Sequence, residues 1–375
     1  MTPELKQILS AFQLDATPVS CERYGCGHIN VTYLVVTESG RRYILQKINN
    51  HIFKDVPGLM GNIIAVTAYL RKQIDDPRRV LTLVPTTDGS LYLNQEGFWR
   101  VYDFVEDSLC LQAPENAEDF YQSAVAFGNF QQQLKDFPAH TLCEVIPNFH
   151  NTADRYRIFR EVLAKDPMGR AESVRAEIEF ALAREEEAAT LVNLLAEGKL
   201  PLRVTHNDTK LNNVMLDADT RKPLCVIDLD TVMPGLAAYD FGDSIRFGAA
   251  TAAEDEKDLS KMEMSLELFR TYTKGFLSAC PGLTDLERET LPMGAKLMTL
   301  ECGVRFLTDY LDGDHYFAVH REGHNLDRCR TQFKLVADME SKWDEMAEIV
   351  KNPGQESRTA SQSCFSFIYR FRSGW

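Results

Sequence analysis

The sequence predicts an α+β protein with a small β-rich N-terminal lobe and a larger, mostly helical C-terminal lobe. Three observations predict it. At 375 residues the chain is too long for one small core and suits two. Its first hundred residues read as β-rich runs punctuated by glycine. From about Pro114 onward, apolar residues recur at helical spacing. The expected division is 1–105, then 106–350, then a Ser-rich tail over 351–375 that is expected to be poorly ordered.

In chain order, CERYGCGHIN, VTYLVVTESG and RRYILQKI are expected strands, with Glu38-Ser-Gly40 as a hairpin turn. Leu59, Ile63, Val66 and Leu70 predict a helix over about Pro57 to Gln73. LVPTT and SLYLN are expected strands around the Asp88-Gly89 turn, and FWRVYDFVE closes the region. Helical periodicity then marks FYQSAVAFGNFQQQLKDF, DRYRIFREVLAKD and a long VRAEIEFALAREEEAATLVNLLAEGKL. A strand pair, NVMLD and LCVIDLD, interrupts the helices through the turn Ala218 to Pro223; helices resume and end near Val350. A small β-rich lobe before a larger helical one is the arrangement of the protein-kinase-like fold.

Composition narrows the class. A net charge of −14 argues against nucleic acid as partner, since phosphate backbones need a basic surface. No run approaches about 18 apolar residues, so no membrane partner is expected. Nine scattered cysteines without a CxxC pair predict a reduced, cytoplasmic setting.

The chemistry concentrates in VTHNDTKLNNVMLDADTRKPLCVIDLDTVMPG. Asp208 sits in a loop, Asn213 follows five residues later, and Asp228 ends an apolar strand after a hairpin. Phosphoryl transfer needs such a kit: a carboxylate beside the acceptor hydroxyl, and hard oxygens holding Mg2+ against the phosphates of ATP. Asp208 is therefore the expected base, with Asn213 and Asp228 as metal ligands. Asp230, two residues along the same expected strand, should share the face of Asp228. Asp240 in YDFGDS is expected to buttress the loop rather than bind metal. No Walker A sequence occurs.

HxDxxxxN followed by a strand and IDxD resembles the aminoglycoside phosphotransferase and choline kinase superfamily. Longer blocks are similar to the bacterial N-acetylhexosamine 1-kinase family: THNDTKLNNVMLD, VIDLDTVMPGLAAYDFGDSIRFG, YGCGHINVTYLV with YILQKIN, and ECGVRFLTDYLDGDHYF. The resemblance spans about Tyr24 to Leu335. It implies ATP-dependent phosphorylation of the anomeric hydroxyl of N-acetylglucosamine or N-acetylgalactosamine by a cytoplasmic enzyme, expected to be a monomer. For the sugar it points to Arg305 and Tyr316, with Asp230, Thr231 and Phe247 as further contacts. On the residues alone, Arg305 is equally suited to a helical salt bridge with Glu301 or Asp309.

Gly25, Gly27 and Asn30 are expected in a lid over the phosphates. Backbone groups near Phe104 to Glu106 should pair with the adenine edge. Kinase-like folds usually carry a lysine on the third strand, paired to a helix glutamate. Here YILQKIN places Gln46 at that position and Lys47 on the opposite face, and PGLMGNIIAVTAYLRKQ has no glutamate. Gln46 is expected to hydrogen-bond phosphate or Asn62. The rival readings are another kinase of the superfamily, acting on choline, another sugar or an aminoglycoside, and a nucleotide-binding pseudokinase scaffold.

Overall fold

The computed structural model describes residues 1–25 and 29–355. Gly27 of the expected lid and the tail from residue 356 lie outside the described residues. The chain opens with α1 (Pro3–Ser10), β1 (Pro18–Arg23), β2 (Val31–Thr37), β3 (Arg42–Ile48) and α2 (Val56–Arg71). It continues through β4 (Leu93–Asn94), β5 (Phe98–Asp103) and β6 (Ser108–Cys110). Helices α3 (Ala117–Gln133), α4 (Thr152–Lys165), α5 (Arg175–Leu182) and α6 (Thr190–Ala196) follow. Four short strands come next: β7 (Arg203–Thr205), β8 (Val214–Asp217), β9 (Pro223–Val226) and β10 (Met233–Gly235). The chain then runs through α7 (Ala237–Gly248), α8 (Leu266–Ala279), α9 (Asp285–Glu289), α10 (Leu291–Asp312), α11 (His324–Ser341) and α12 (Trp343–Lys351). The β-rich region followed by a larger helical one is the order the sequence predicts.

Two compact units form. The first gathers 1–109, 136–147 and 215–234; the second gathers 110–135, 148–214 and the chain from 235 onward. Two segments that the sequence reading assigned to the C-terminal lobe thus pack within the first unit.

In the first unit β1, β2, β3, β5 and β4 lie side by side in that order, with antiparallel neighbours. The register sets Gln46 opposite Arg100 and Lys47 opposite Trp99. Successive residues alternate faces, so Gln46 and Arg100 share one face. Lys47 lies on the other, over the Trp99 ring at 4.8 Å, as expected. On that other face, Leu5, Ile8, Leu9 and Phe12 pack with Val35, Leu45, Trp99 and Val101. Helix α1, which supplies three of these residues, was not expected. Its signal was present: Thr2 caps the Leu5 amide at 3.3 Å and Pro3 sits in the first turn.

LVPTT does not form a strand, and SLYLN keeps only Leu93–Asn94. Thr86 closes a tight turn onto Ser90, with Gly89 at φ +87°, and Pro85 has no amide to give a ladder. Isolated bridges from Leu83 to Tyr102 and Phe12 to Thr86 are what remains of the pairing.

In the second unit, α10 packs on α7, α11 and α4, and α3 packs on α8. The contact of α7 with α10 needs glycine: a Cβ on Gly242 would lie 2.3 Å from the Gly294 carbonyl oxygen, and one on Gly294 2.2 Å from that of Ala238. This close seat fixes the helix that carries Asp240 and Asp243. The long helix expected over Val174 to Leu200 is broken into α5, a 3-10 turn at Glu187–Ala189 and α6. There Arg184 reaches Glu340 at 2.6 Å and Glu187 reaches Lys296 at 2.5 Å. These tertiary ties override the local periodicity.

Candidate active site

The loop after β7 is templated by α7. Asp240, fully buried, accepts the backbone amide of His206 at 3.0 Å and that of Asn207 at 2.8 Å, and Gln131 of α3 donates to it at 2.6 Å. Asp243 accepts the Thr209 amide at 2.9 Å, and Thr209 Oγ1 donates to the Asp240 carbonyl at 2.7 Å. The His206 ring meets Phe127 and Phe130 edge-on, at 5.4 and 6.0 Å between centroids. Asn207 is held at φ +64°, which asparagine tolerates better than most residues. Asp240 therefore does the buttressing work the sequence reading gave it, and His206 shapes the loop.

Asp208 follows this bend. Its Oδ1 lies 2.6 Å from Lys210 Nζ, and its Oδ2 accepts Asn213 Nδ2 at 3.0 Å. Asn213 Nδ2 also donates to the Asp208 carbonyl at 2.8 Å. Both of these side-chain interactions use the Asn213 nitrogen. An amide oxygen is a hard donor of the kind Mg2+ prefers. Among the described residues, no three His, Cys, Asp or Glu side chains gather as a metal site. An Asn with one carboxylate leaves the remaining positions of such a site to phosphate and water.

Asp228 belongs to the first unit. It does not end a strand as expected. β9 stops at Val226, Asp228 turns into the left-handed region at φ +57° and ψ +57°, and Leu229–Thr231 forms a 3-10 turn. The alternation of a strand therefore does not relate Asp230 to Asp228. Asp230 is 4% exposed, with Oδ1 2.6 Å from Arg100 Nη1 and Oδ2 accepting Asn30 Nδ2 at 2.5 Å. Asp230 and Arg100 thus form a buried ion pair.

Gln46 does not meet Asn62. Its Oε1 accepts Arg100 Nε at 2.9 Å and Nη2 at 2.8 Å, and its Nε2 donates to Thr32 at 3.1 Å. Asn62 on α2 instead donates to the Cys143 and Val232 carbonyls, at 2.8 and 2.9 Å. A β-sheet pairs the face-sharing neighbours Gln46 and Arg100, and that pairing takes Gln46 away from the helix. Asn30 also accepts the Asn49 amide at 2.9 Å. Gly25 is exposed, at φ +74°, with open space where a Cβ would sit. The Phe104 amide is already given to the Arg42 carbonyl at 3.2 Å, and the Phe104 ring lies under the Arg42 guanidinium at 4.1 Å. The Glu106 carboxylate pairs with the same guanidinium.

In the second unit, Arg305 and Tyr316 come together. Arg305 Nη2 donates to the Tyr316 hydroxyl at 3.2 Å, and its guanidinium lies 5.4–5.7 Å from the rings of Phe149, Tyr316 and Phe317. Tyr316 is 68% exposed. Neither helical salt bridge forms. Glu301 is taken by His150 at 3.1 Å and Thr152 at 2.9 Å. Asp309 is taken by the amides of residues 315–317 and by Asn325. Phe247 lies half-buried on α7, and Thr231 lies in the first unit with Asp230.

The phosphotransferase enzyme family matches residues 20–262, more than half of the chain. The chain belongs to that family. Its fold is shared with solved kinases at low identity. An aminoglycoside phosphotransferase from Alicyclobacillus acidocaldarius is 14% identical, covering 94% of this chain and 97% of the other, with a TM-score of 0.58. An amicoumacin kinase in complex with AMP-PNP, Ca2+ and Ami is 13% identical, covering 96% of each chain, with a TM-score of 0.56. An ethanolamine kinase from Plasmodium vivax is 13% identical, covering 84% and 82%, with a TM-score of 0.50.

Three charged residues of this phosphotransferase escaped the sequence reading. Lys210 is two residues from Asp208, and its position in THNDTK was the signal. Burial works against its charge, yet Asp208 wins and raises its pKa. Arg100 carries no local signal, because its partners lie 54 and 130 positions away in sequence. Arg155 on α4 gives Nη2 to the Phe149 carbonyl at 2.8 Å, while its buried Nε has no partner. Burial and the nearby Arg305 charge lower its pKa. The Asp243 carboxyl is held below the usual carboxylate range: burial opposes this, but Arg246 and Lys210 outweigh it.

Proposed function

We propose that this phosphotransferase moves the γ-phosphoryl group of ATP to the anomeric hydroxyl of an N-acetylhexosamine. Asp208 is the base, Asn213 and Asp228 supply oxygens to Mg2+, and Arg305 and Tyr316 bind the sugar. The observation that carries this reading is the loop itself. Asp240 and Asp243 of α7 accept three backbone amides around Asp208, Thr209 Oγ1 donates to the Asp240 carbonyl, Gln131 of α3 steadies Asp240, and the Asn213 side chain is bonded to Asp208 through its nitrogen.

Asp208 orients the acceptor hydroxyl and takes its proton as the acceptor oxygen bonds to the γ-phosphorus. The bond to the β-phosphate oxygen breaks, and sugar 1-phosphate and ADP result. An anomeric hydroxyl is more acidic than an ordinary alcohol, so a carboxylate suffices in a loose transition state. Bound magnesium supplies charge neutralisation for the phosphate oxygens. The ring of a hexose suits the aromatic faces around Arg305, whose guanidinium offers donors to sugar oxygens. The family match and the AMP-PNP bound to the amicoumacin kinase support the nucleotide. We further propose a cytoplasmic monomer; none of the described cysteines is in a disulfide, and no described helix is long and apolar enough to cross a membrane.

The test mixes the protein with ATP, Mg2+ and a panel of sugars, choline and aminoglycosides, and follows ADP. Release with N-acetylglucosamine or N-acetylgalactosamine, but not with their 1-O-methyl glycosides, is expected. Phosphorylation of a methyl glycoside would overturn the anomeric assignment. Turnover with choline alone would replace the acceptor.

A further inference from the structure

We infer that Arg100 is a positioning residue for the metal site, acting through Asp230 on the turn that carries Asp228 in place of the missing lysine–glutamate pair. The inference rests on the proposed metal role of Asp228.

The third strand has a neutral residue where kinase-like folds place lysine, and α2 has no glutamate. A buried cation sits instead on the neighbouring strand, at Arg100, directly opposite Gln46 and on its face. Arg100 is 1% exposed, and its donors are spent inside the first unit. Nε and Nη2 go to Gln46 Oε1 at 2.9 and 2.8 Å, and Nη1 faces Asp230 Oδ1 at 2.6 Å. A guanidinium so engaged has little left for a phosphate, whereas the usual lysine pairs with phosphates directly. Arg100 therefore works on the protein.

What it holds is the turn after Asp228. Asp230, two residues on, is gripped by Arg100 from the sheet and by Asn30 at 2.5 Å. Val232, two further, has its carbonyl held by Asn62 of α2 at 2.9 Å. The sheet and the helix each fasten one point of residues 228–232, and Asp228 is kept at φ +57° between β9 and these anchors. A carboxylate in that backbone state persists where its surroundings over-determine it. Groups that orient a metal ligand typically contribute about 10–100-fold to metal affinity.

Calorimetry of ADP binding with and without Mg2+ tests this. Arg100→Met should weaken binding of MgADP by about 10–100-fold and leave binding of metal-free ADP unchanged. Arg100→Lys should keep most of the magnesium gain. If Arg100 touched phosphate itself, metal-free ADP would weaken as well, and the inference would fall. An unchanged MgADP affinity in folded Arg100→Met would also overturn it.

Should Arg100→Met not fold, the double variant Arg100→Met with Gln46→Lys decides. A lysine at 46 returns a cation to the same face of the sheet from the usual strand. Recovery of the magnesium gain supports the inference, and a folded double variant without it refutes it. Asp228→Asn, measured alongside, separates the two levels. If it keeps the full magnesium gain, the proposed metal role of Asp228 fails. If it loses the gain while Arg100→Met keeps it, only the role of Arg100 fails.

Discussion

Lys210 Nζ lies 2.6 Å from Asp208 Oδ1, so the proposed base is half of an ion pair in the resting protein. Burial and this carboxylate pull the lysine in opposite directions, and the carboxylate prevails. Asp208→Asn removes the larger counter-charge and leaves Asp243 to oppose burial. Turnover should fall by about 10²–10⁴-fold, while ADP affinity stays near that of the wild type. The ε-amine of Lys210 should then titrate below its value in the parent protein. NMR titration of labelled lysine checks the second outcome, and full activity in the variant would remove Asp208 from the chemistry.

Glu301 gives a pH dependence of known sign. Burial alone would raise its pKa, but His150 first, and then Arg305 and Arg155, hold the folded-state value below 4.5. A carboxyl with a lowered folded value stabilises the protein at pH above its unfolded value. That contribution is lost as pH falls through the folded one. Glu301→Gln should therefore unfold at lower temperature than the wild type at pH 7. The gap should narrow steadily as pH drops below about 4.5. Melting curves at matched ionic strength from pH 7 to 3 test this, and a gap that widened in acid would contradict the assignment.

Arg305 and Tyr316 can be tested apart from the nucleotide. Loss of a charged hydrogen-bond donor costs about 1.5–3 kcal/mol, equivalent to about 10–100-fold in affinity. Arg305→Ala should raise KM for the N-acetylhexosamine by that factor with little change in MgADP binding. Tyr316→Phe, which keeps the ring, should cost less. Equal losses in sugar and nucleotide binding would mean that Arg305 supports the fold and not the acceptor.

Much of this was legible in the sequence because the residues lie close together along the chain. Asp208 and Asn213 are five apart in one loop, and local spacing was enough to read them as a pair. Asp240 was readable as a brace because it follows the loop by one hairpin and a turn. Tertiary pairing was not readable. The partnership of Gln46 with Arg100 depends on strand register, and that of Arg100 with Asp230 joins residues 130 apart. The break between α5 and α6 depends on Lys296 and Glu340 from later helices. The left-handed turn at Asp228 was hidden for a simpler reason: an apolar run ending in IDLD reads as strand until φ is known.

Asn62 gives the seat of α2 in the first unit a character of its own. Its amide is fully engaged, donating twice and accepting the Cys143 amide at 2.8 Å, and none of these bonds carries formal charge. In kinases with a lysine–glutamate bridge, swinging the helix outward breaks an ion pair and silences the enzyme. Here the helix is fastened by neutral amides. Salt has no ion pair there to screen, and an acidic or basic effector has no counter-charge to steal.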